Sequence, residues 1–378
     1  MELKMRIVTL SMTRGLPSGI VAQLEYENSA AQKNASVNWK TVLLTTENGG
    51  PSFAQRIPWM FRPMFLRNFY CWIVCLKLAK ESDFVLMRHI PFDPFVFIFA
   101  PFVKNRISVH HSDEIRELPL VAPGWKGRMA SLLERVSGKF SLKFVKGILG
   151  VTREIAENEL IRSGRKIPSG VYLNGIDVDV FPLADDRRND KKINIVFVCS
   201  VFSIWHGLDK LIKSIENFSG STPLPVIIHL IGEIDEIQKK EISLLDSRVC
   251  IIMHSSMKKN DIMEVYSVAD VGLASLALER KGITEATTLK VREMLAAGVP
   301  VYSTHRDSAL PDNFPYYFMR DDIVFEDIVE IAIKSKSFRR SDVRNISIPY
   351  ISKQNSMNAV CVWLENSFRD CRRSVVGR

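Results

Sequence analysis

A strict alternation of short apolar runs with longer helix-patterned segments limits this chain most, and the alternation occurs twice. In the first half the runs 5–12 (MRIVTLSM), 39–46 (WKTVLLTT), 83–89 (DFVLMRH), 106–111 (RISVHH) and 147–152 (GILGVT) gather aliphatic and β-branched residues between polar boundaries. Such runs read as short strands buried on both faces. Helical spacing occupies 18–32, 66–80, 126–143 and 153–163. The second half repeats the pattern, with strand-like 193–199, 226–232, 249–254, 270–275 and 300–305 separated by helical 207–218, 234–245, 259–268 and 289–297. Strands alternating with helices imply parallel sheets with crossover helices. A chain of 378 residues also exceeds what one core serves, since single cores stop growing at roughly 250–300 residues. The sequence therefore predicts an α/β protein of two blocks in tandem. The charged run 185–192 (DDRRNDKK) has no apolar periodicity and reads as a surface linker. The expected domains are 1–184 and 185–348, with a helical tail, 349–378, that packs back on the first domain. Val360, Cys361, Trp363 and Leu364 stand at helical spacing in that tail.

Composition excludes several classes. Hydrophobic residues at 46% and charged residues at 25% are ordinary for a soluble globular protein. Six cysteines (Cys71, Cys75, Cys199, Cys250, Cys361, Cys371) are scattered without a Cys-x-x-Cys pair or a nearby histidine pair, which fits reduced thiols in a cytoplasmic protein. The first fifteen residues lack the pattern of a secretory signal and read as a strand. The longest apolar stretch, 92–103, contains Asp93, Pro94 and Pro101 and falls short of the roughly 18–20 residues that span a bilayer.

The formal charge is +9, and one segment concentrates it with aromatic groups. Arg56, Arg62, Arg67, Lys77 and Lys80 interleave with Trp59, Phe61, Phe65, Phe69, Tyr70 and Trp72 over residues 56–80. That mixture suits an anionic leaflet, with aromatics at headgroup depth and cations on lipid phosphates, which would place the protein peripherally on the inner face of the cytoplasmic membrane. A core helix with a basic outer face has the same pattern. Neither a stacking platform nor a groove-reading motif accompanies the basic residues, so nucleic acid is not expected as a partner.

In doubly wound domains ligands bind at the carboxyl ends of the strands. The richest such place is 274–301, ASLALERKGITEATTLKVREMLAAGVPV. Thr287 and Thr288 are expected N-caps of a helix opening at Leu289, and Gly298 followed by Pro300 stops it. A helix start offers free N–H groups and partial positive charge, a seat for a diphosphate to which Lys290 adds a full charge. Glu293, three residues on, is placed to accept hydrogen bonds from ribose hydroxyls, and Glu285 from those of a transferred sugar. Alternatively, Lys290 and Glu293 form a surface pair at three-residue spacing.

These residues resemble the Glu-x7-Glu region of retaining GT-B glycosyltransferases, notably family four, whose second Glu opens E-A-M-A-x-G-x-P-V; here 293–301 reads EMLAAGVPV. Three further stretches are similar to family signatures: 172–181 (YLNGIDVDVF), 195–212 (IVFVCSVFSIWHGLDKLI) and 261–273 (DIMEVYSVADVGL). The resemblance implies two Rossmann-like domains facing across a cleft. It further implies metal-independent transfer of a sugar, with retention, from a nucleoside diphosphate sugar to an acceptor hydroxyl by a front-face mechanism. No cofactor and no metal are expected. Ser200, Val201 and His206 stand where many members carry glycine, arginine and lysine, and Ala286-Thr287-Thr288 replaces Pro-Phe-Gly. Phosphate charge then rests more on Lys290 and the helix amides, with Ser200 and His206 at the same place, and Glu285 matches by spacing.

The first half is expected to take the acceptor. Gly15 and Gly19 after the first strand permit close approach to the donor phosphate or the acceptor. His111 aligns with the family's histidine near the reacting centre, and Arg88 and Asn174 are placed at the cleft. His110 and Asp113 are not expected to form a metal site, because a strand alternates its side chains and no third ligand is evident. With the basic aromatic segment, a lipid-linked glycan acceptor follows, as in assembly of bacterial lipopolysaccharide O-antigen or capsule. Two other readings are a GT-B-fold sugar-nucleotide epimerase, which needs cleft carboxylates, and a non-catalytic scaffold that kept the fold.

Overall fold

In the first half, parallel strands β1 (Met5–Thr13), β2 (Val37–Thr45), β3 (Ala54–Arg56), β4 (Phe84–Arg88), β5 (Arg106–His110), β6 (Gly147–Gly150) and β7 (Ser169–Val171) form one sheet of order β3-β2-β1-β4-β5-β6-β7. Helices α1 (Ser18–Lys33), α2 (Met64–Glu81), α3 (Val96–Phe99), α4 (Glu114–Val121), α5 (Trp125–Leu142) and α6 (Arg153–Ser163) connect them. The second half builds β8 (Ile193–Val201), β9 (Val226–Glu233), β10 (Val249–His254), β11 (Val271–Leu273), β12 (Glu285–Ala286), β13 (Val301–Ser303), β14 (Arg306–Asp307) and β15 (Tyr317–Met319). Its main sheet runs β10-β9-β8-β11-β13-β15, all parallel, with β12 and β14 as a separate pair. Helices α7 (Leu208–Glu216), α8 (Glu236–Ser243), α9 (Lys259–Val268), α10 (Leu289–Ala296), α11 (Phe325–Ser335), α12 (Arg340–Ile351) and α13 (Lys353–Arg373) complete the chain. In both sheets the order reverses beside the first strand, the mark of a doubly wound Rossmann-like fold.

This computed structural model describes residues 4–218, 222–245 and 249–373. The chain divides into one unit of Met1–Asp177 with Lys353–Arg378 and a second of Val178–Ser352. The division falls after Asp177 rather than at 184/185, and the charged run 185–192 is fastened to the second unit. The Arg188 guanidinium donates to the carbonyls of Ser335 and Phe338 at 2.7 and 2.8 Å, so the run carries specific bonds that its lack of periodicity conceals.

The central strands of both sheets are buried along nearly their whole length, as β1 illustrates with Ile7 and Leu10 at 0% exposure, whereas the outer strands β3, β7, β10 and β15 are largely accessible. The helices bury one stripe: Leu208, Leu211, Ile212 and Ile215 of α7 face the second core at i, i+3, i+4 and i+7. The helix α13 returns to the first unit, where Met357, Val360, Cys361 and Leu364 join the core with Ile7, Trp39 and Leu86. Its entry is pinned by Lys353, fully buried, with Nζ 3.9 Å from Glu27 Oε2 and 3.7 Å from the centre of the Tyr172 ring. Trp363 lies against Gly170, where an added Cβ would come within 2.8 Å of the indole nitrogen. The five cysteines described are free thiols, and Cys371 lies outside the described side chains.

Candidate functional site

In the second unit the loops after β8 and β11, neighbours at the order reversal, are joined. The N–H of Leu276 donates to the carbonyl of His206 at 2.9 Å, and that of Ala277 to Trp205 at 3.3 Å. A 3-10 turn (Ile204–His206) leads through Gly207, φ 74°, into α7. Gly207 is required there: a Cβ would sit 2.9 Å from the Leu276 carbonyl carbon and push the joined loops apart. Ser200 and Val201 are exposed at the bulged end of β8. The amide of Ser203 donates to His206 Nδ1 at 3.0 Å, which leaves the ring proton on Nε2. Burial, then the charges of Lys290 and Lys281, push His206 down to about 2, so it is a neutral donor and not a cation.

Helix α10 begins at Leu289 as the sequence predicts, with Thr288 in the N-cap position. Its side chain makes no capping bond, and its buried hydroxyl has no partner among the described residues. The first amides of α10 therefore lack a side-chain acceptor from the cap. Lys290 Nζ lies 3.4 Å from Cys199 Sγ and 5.4 Å from the centre of the Phe197 ring. Burial raises the Cys199 thiol, which keeps it neutral despite that amine. Among the described residues no ion pair joins Lys290 to Glu293, so the surface-pair alternative is not realised. Glu293 is half-buried on the same helix, and buried Thr287 lies just ahead of it. Glu285 sits apart from the helix start in β12, opposite Arg306 of β14, with a carboxylate oxygen 3.6 Å from that guanidinium.

What holds α10 was not legible beforehand. Arg292, fully buried, makes two 2.6 Å bonds to the buried Asp307 carboxylate, and Gly272 of β11 leaves the space that Met294 fills, a Cβ there being 2.1 Å from its sulfur. His305 is also buried, its Nδ1 2.9 Å from the carbonyl of Ser275, and burial pushes it down to about 4. Neither group has a local sequence signal, because each is paired through the sheet.

In the first unit a pocket of about 310 Å³ opens where β1, β4 and β5 end, with Arg14, Arg67, Arg88, His89 and His111 on its wall. Thr13 and Thr45 both donate to the carbonyl of Gly15, at 2.6 and 2.9 Å, and so shape the loop into α1, while Gly19 lies in the first turn of α1. Gln23 links two predicted residues: Arg88 Nη1 donates to its carbonyl oxygen and its amide donates to His111 Nδ1, both at 3.5 Å. His111 is thus a neutral ring protonated on Nε2. Burial, followed by the charges of Arg88, Lys353 and His110, holds it well below the ordinary histidine value. Asn174 is half-buried beyond β7 and does not line this pocket.

The pocket wall 89–92 is held under strain. Phe92, φ 42°, is the one residue other than glycine with positive φ among those described, and its N–H donates to Glu134 Oε2 at 2.6 Å. Glu134 also binds His89 at 2.8 Å and Arg162. Burial opposes both ionisations, yet the pairing wins: His89 is raised, and Glu134 is lowered to about 2. His110 turns the other way from His111, into the protein, where it meets Ser108 at 2.9 Å and Glu114 at 3.2 Å. The third group not evident in the sequence is His89: its ring stacks on His110 at 4.5 Å, and donor atoms of His89, His110 and Glu114 lie within 4.8 Å of one another. Each of these groups is already engaged by a protein partner. Asp113 instead caps α4.

The 56–80 segment combines both of its readings. Helix α2 buries Asn68, Cys71, Trp72, Cys75 and Leu78, whereas Trp59 is 76% exposed and Met60, Met64, Phe65 and Leu66 face solvent. Trp72, expected at headgroup depth, is a core residue whose indole donates to Asp93 at 2.5 Å. Helix α5 forms where helical spacing at 126–143 predicts it, but its polarity is inverted. Gly127, Ser131, Ser137, Gly138 and Ser141 face inward, and Trp125, Met129, Leu132, Leu133 and Val136 face outward. The alternation of small and apolar residues in 125–142 is its signal. Among the described residues no helix is long and apolar enough to cross a membrane.

No protein-family model matches this chain, and no curated protein matches it. Solved structures do. Anabaena HepE in complex with UDP is 13% identical with a TM-score of 0.60, over 95% of this chain and 99% of that one. A glycosyltransferase from Rickettsia africae is 13% identical with a TM-score of 0.61, over 95% and 98%. The lipopolysaccharide outer core galactosyltransferase WaaB is 11% identical with a TM-score of 0.60, over 93% and 98%. At these identities the likeness is one of fold: two Rossmann-like units, as in GT-B glycosyltransferases.

Proposed function

We propose that the protein is a retaining glycosyltransferase of family-four type that moves a sugar from a nucleoside diphosphate sugar to an acceptor hydroxyl. The observation that carries the reading is Lys290: a cation without a carboxylate partner among the described residues, at the start of a helix whose Thr288 makes no capping bond, beside the order reversal of the second sheet. Such a place favours the charge that develops on a departing diphosphate. Lys290 supplies the charge, the first amides of α10 and the neutral His206 Nε2–H supply donors, and Glu293 takes the ribose. That solved neighbours hold UDP and UDP-glucose supports the nucleotide assignment. In the first unit, His111 acts as a hydrogen-bond donor to the sugar or acceptor, because its Nδ1 lone pair is already taken by Gln23. No metal is assigned a part in this scheme.

The acceptor is lipid-linked and met at an anionic membrane surface, in assembly of a cell-surface polysaccharide. The outward apolar face of α5, with Trp59, Met60 and Phe65 exposed beside Arg62 and Arg67, favours that reading over a solvated surface. A thermal-shift panel of UDP, GDP, dTDP and ADP tests the donor assignment, since a ligand of the folded state raises the melting temperature by mass action. One nucleotide should stabilise the protein and support transfer. If none does, the reading fails.

A further inference from the structure

The pocket of the first unit carries more positive charge than the protein itself answers. Arg14, Arg67 and Arg88 line it, and among the described residues none of them forms an ion pair with a carboxylate. Among the described residues Arg88 hydrogen-bonds to the amide oxygen of Gln23, at the long distance of 3.5 Å. Arg67 has a like charge as its neighbour: burial and the closeness of Arg14 both lower it. The Arg88 guanidinium is pushed down to about 10 by burial, against the pull of Glu114 and Glu117. The carboxylate on the pocket wall, Glu114, is engaged by His110 at 3.2 Å. Elsewhere in the unit buried Arg162 is answered, by Glu134 and Glu159, and buried Arg106 by the hydroxyl and carbonyl of Ser141. Unanswered guanidinium groups gathered in a pocket cost solvation and repel one another, and a bound anion relieves both.

Resting on the glycosyl-transfer reading, we propose that this pocket binds a phosphate or diphosphate carried by the acceptor, held by Arg14, Arg67 and Arg88. Charge counting selects that class. A carboxylate brings one negative charge to three guanidinium groups, whereas a diphosphate brings two or three and offers oxygens enough for three forks. Gln23 links Arg88 to His111 without the ligand, and the adjoining wall at Phe92 is tied to buried Glu134. Met64 lines the same pocket and begins the helix whose first turn exposes Phe65 and Leu66, so an apolar chain attached to the phosphate has a surface to leave along.

The test titrates the full-length protein by calorimetry, with UDP saturating, against inorganic pyrophosphate and against geranyl diphosphate. Both should bind, and Arg67→Gln and Arg88→Gln should each weaken both at least tenfold with an unchanged melting temperature and UDP affinity. Tighter binding of geranyl diphosphate identifies a lipid-borne phosphate, and equal binding a water-soluble one; either supports the pocket. Absence of binding overturns the proposal, as do arginine variants that bind like the wild type. If Arg88→Gln does not fold, Arg14→Gln on the exposed loop carries the same test. Should UDP not bind, the glycosyl-transfer reading falls, and the titrations without it still decide the pocket.

Discussion

Replacing Lys290 by methionine separates a donor-site role from a structural one. In the free protein the amine has a neutral thiol at 3.4 Å and an aromatic face at 5.4 Å, with no carboxylate partner among the described residues. Methionine keeps most of the stem's packing, so folding loses little more than a cation–π contact, about 0.5–1 kcal/mol. A bond from this amine to a nucleotide phosphate is charge-assisted and contributes about 1.5–3 kcal/mol. That corresponds to a roughly ten- to hundredfold weaker Kd. Calorimetric titration with the nucleotide chosen by the thermal-shift panel, beside urea unfolding of the same preparations, gives both numbers. The expected result is a large loss of affinity with a small change in unfolding free energy. A Kd within threefold of wild type would refute the assignment, as would a stability loss as large as the binding loss.

Arg292→Met removes one partner of a fully buried pair with Asp307 and should cost about 3–5 kcal/mol, lowering the second unit's melting temperature by roughly 10 °C. Arg292→Met with Asp307→Leu should recover most of it, and a single variant within 1 kcal/mol of wild type would contradict this account of how α10 is held. Burial lowers Lys353 from the ordinary lysine value of 10.5 to about 8. Between those values the unfolded chain holds more protons, so unfolding free energy should rise with pH from 8 towards 10 relative to Lys353→Met. Parallel pH profiles of the two proteins would show that Lys353 is not the group responsible. Leu132→Glu with Val136→Glu, both on the exposed face of α5, should abolish sedimentation with anionic vesicles and leave the urea midpoint unchanged; undiminished binding removes that face from the membrane reading.

The sequence by itself determined the two parallel α/β units and the helix that opens at Leu289, because the signals for both are local. Apolar runs between polar boundaries name strands whatever they pair with, and a start at Leu289, a cation at Lys290 and a stop at Gly298 all lie on one helix. Periodicity also found that the tail residues Val360, Cys361 and Leu364 share a face. Only the tertiary structure decided what the local pattern leaves open. Residues 56–80 satisfied a core helix and a surface helix alike, and packing against Asp93 sent Trp72 inward while Trp59 stayed out. The polarity of α5 is inverted because its small residues, not its large ones, meet the neighbouring elements. Arg14, Arg67, Arg88 and His111 come from four separate segments and share a wall only because β1, β4 and β5 end side by side. Strand order, which brings such ends together, depends on long-range pairing that no local window of sequence contains.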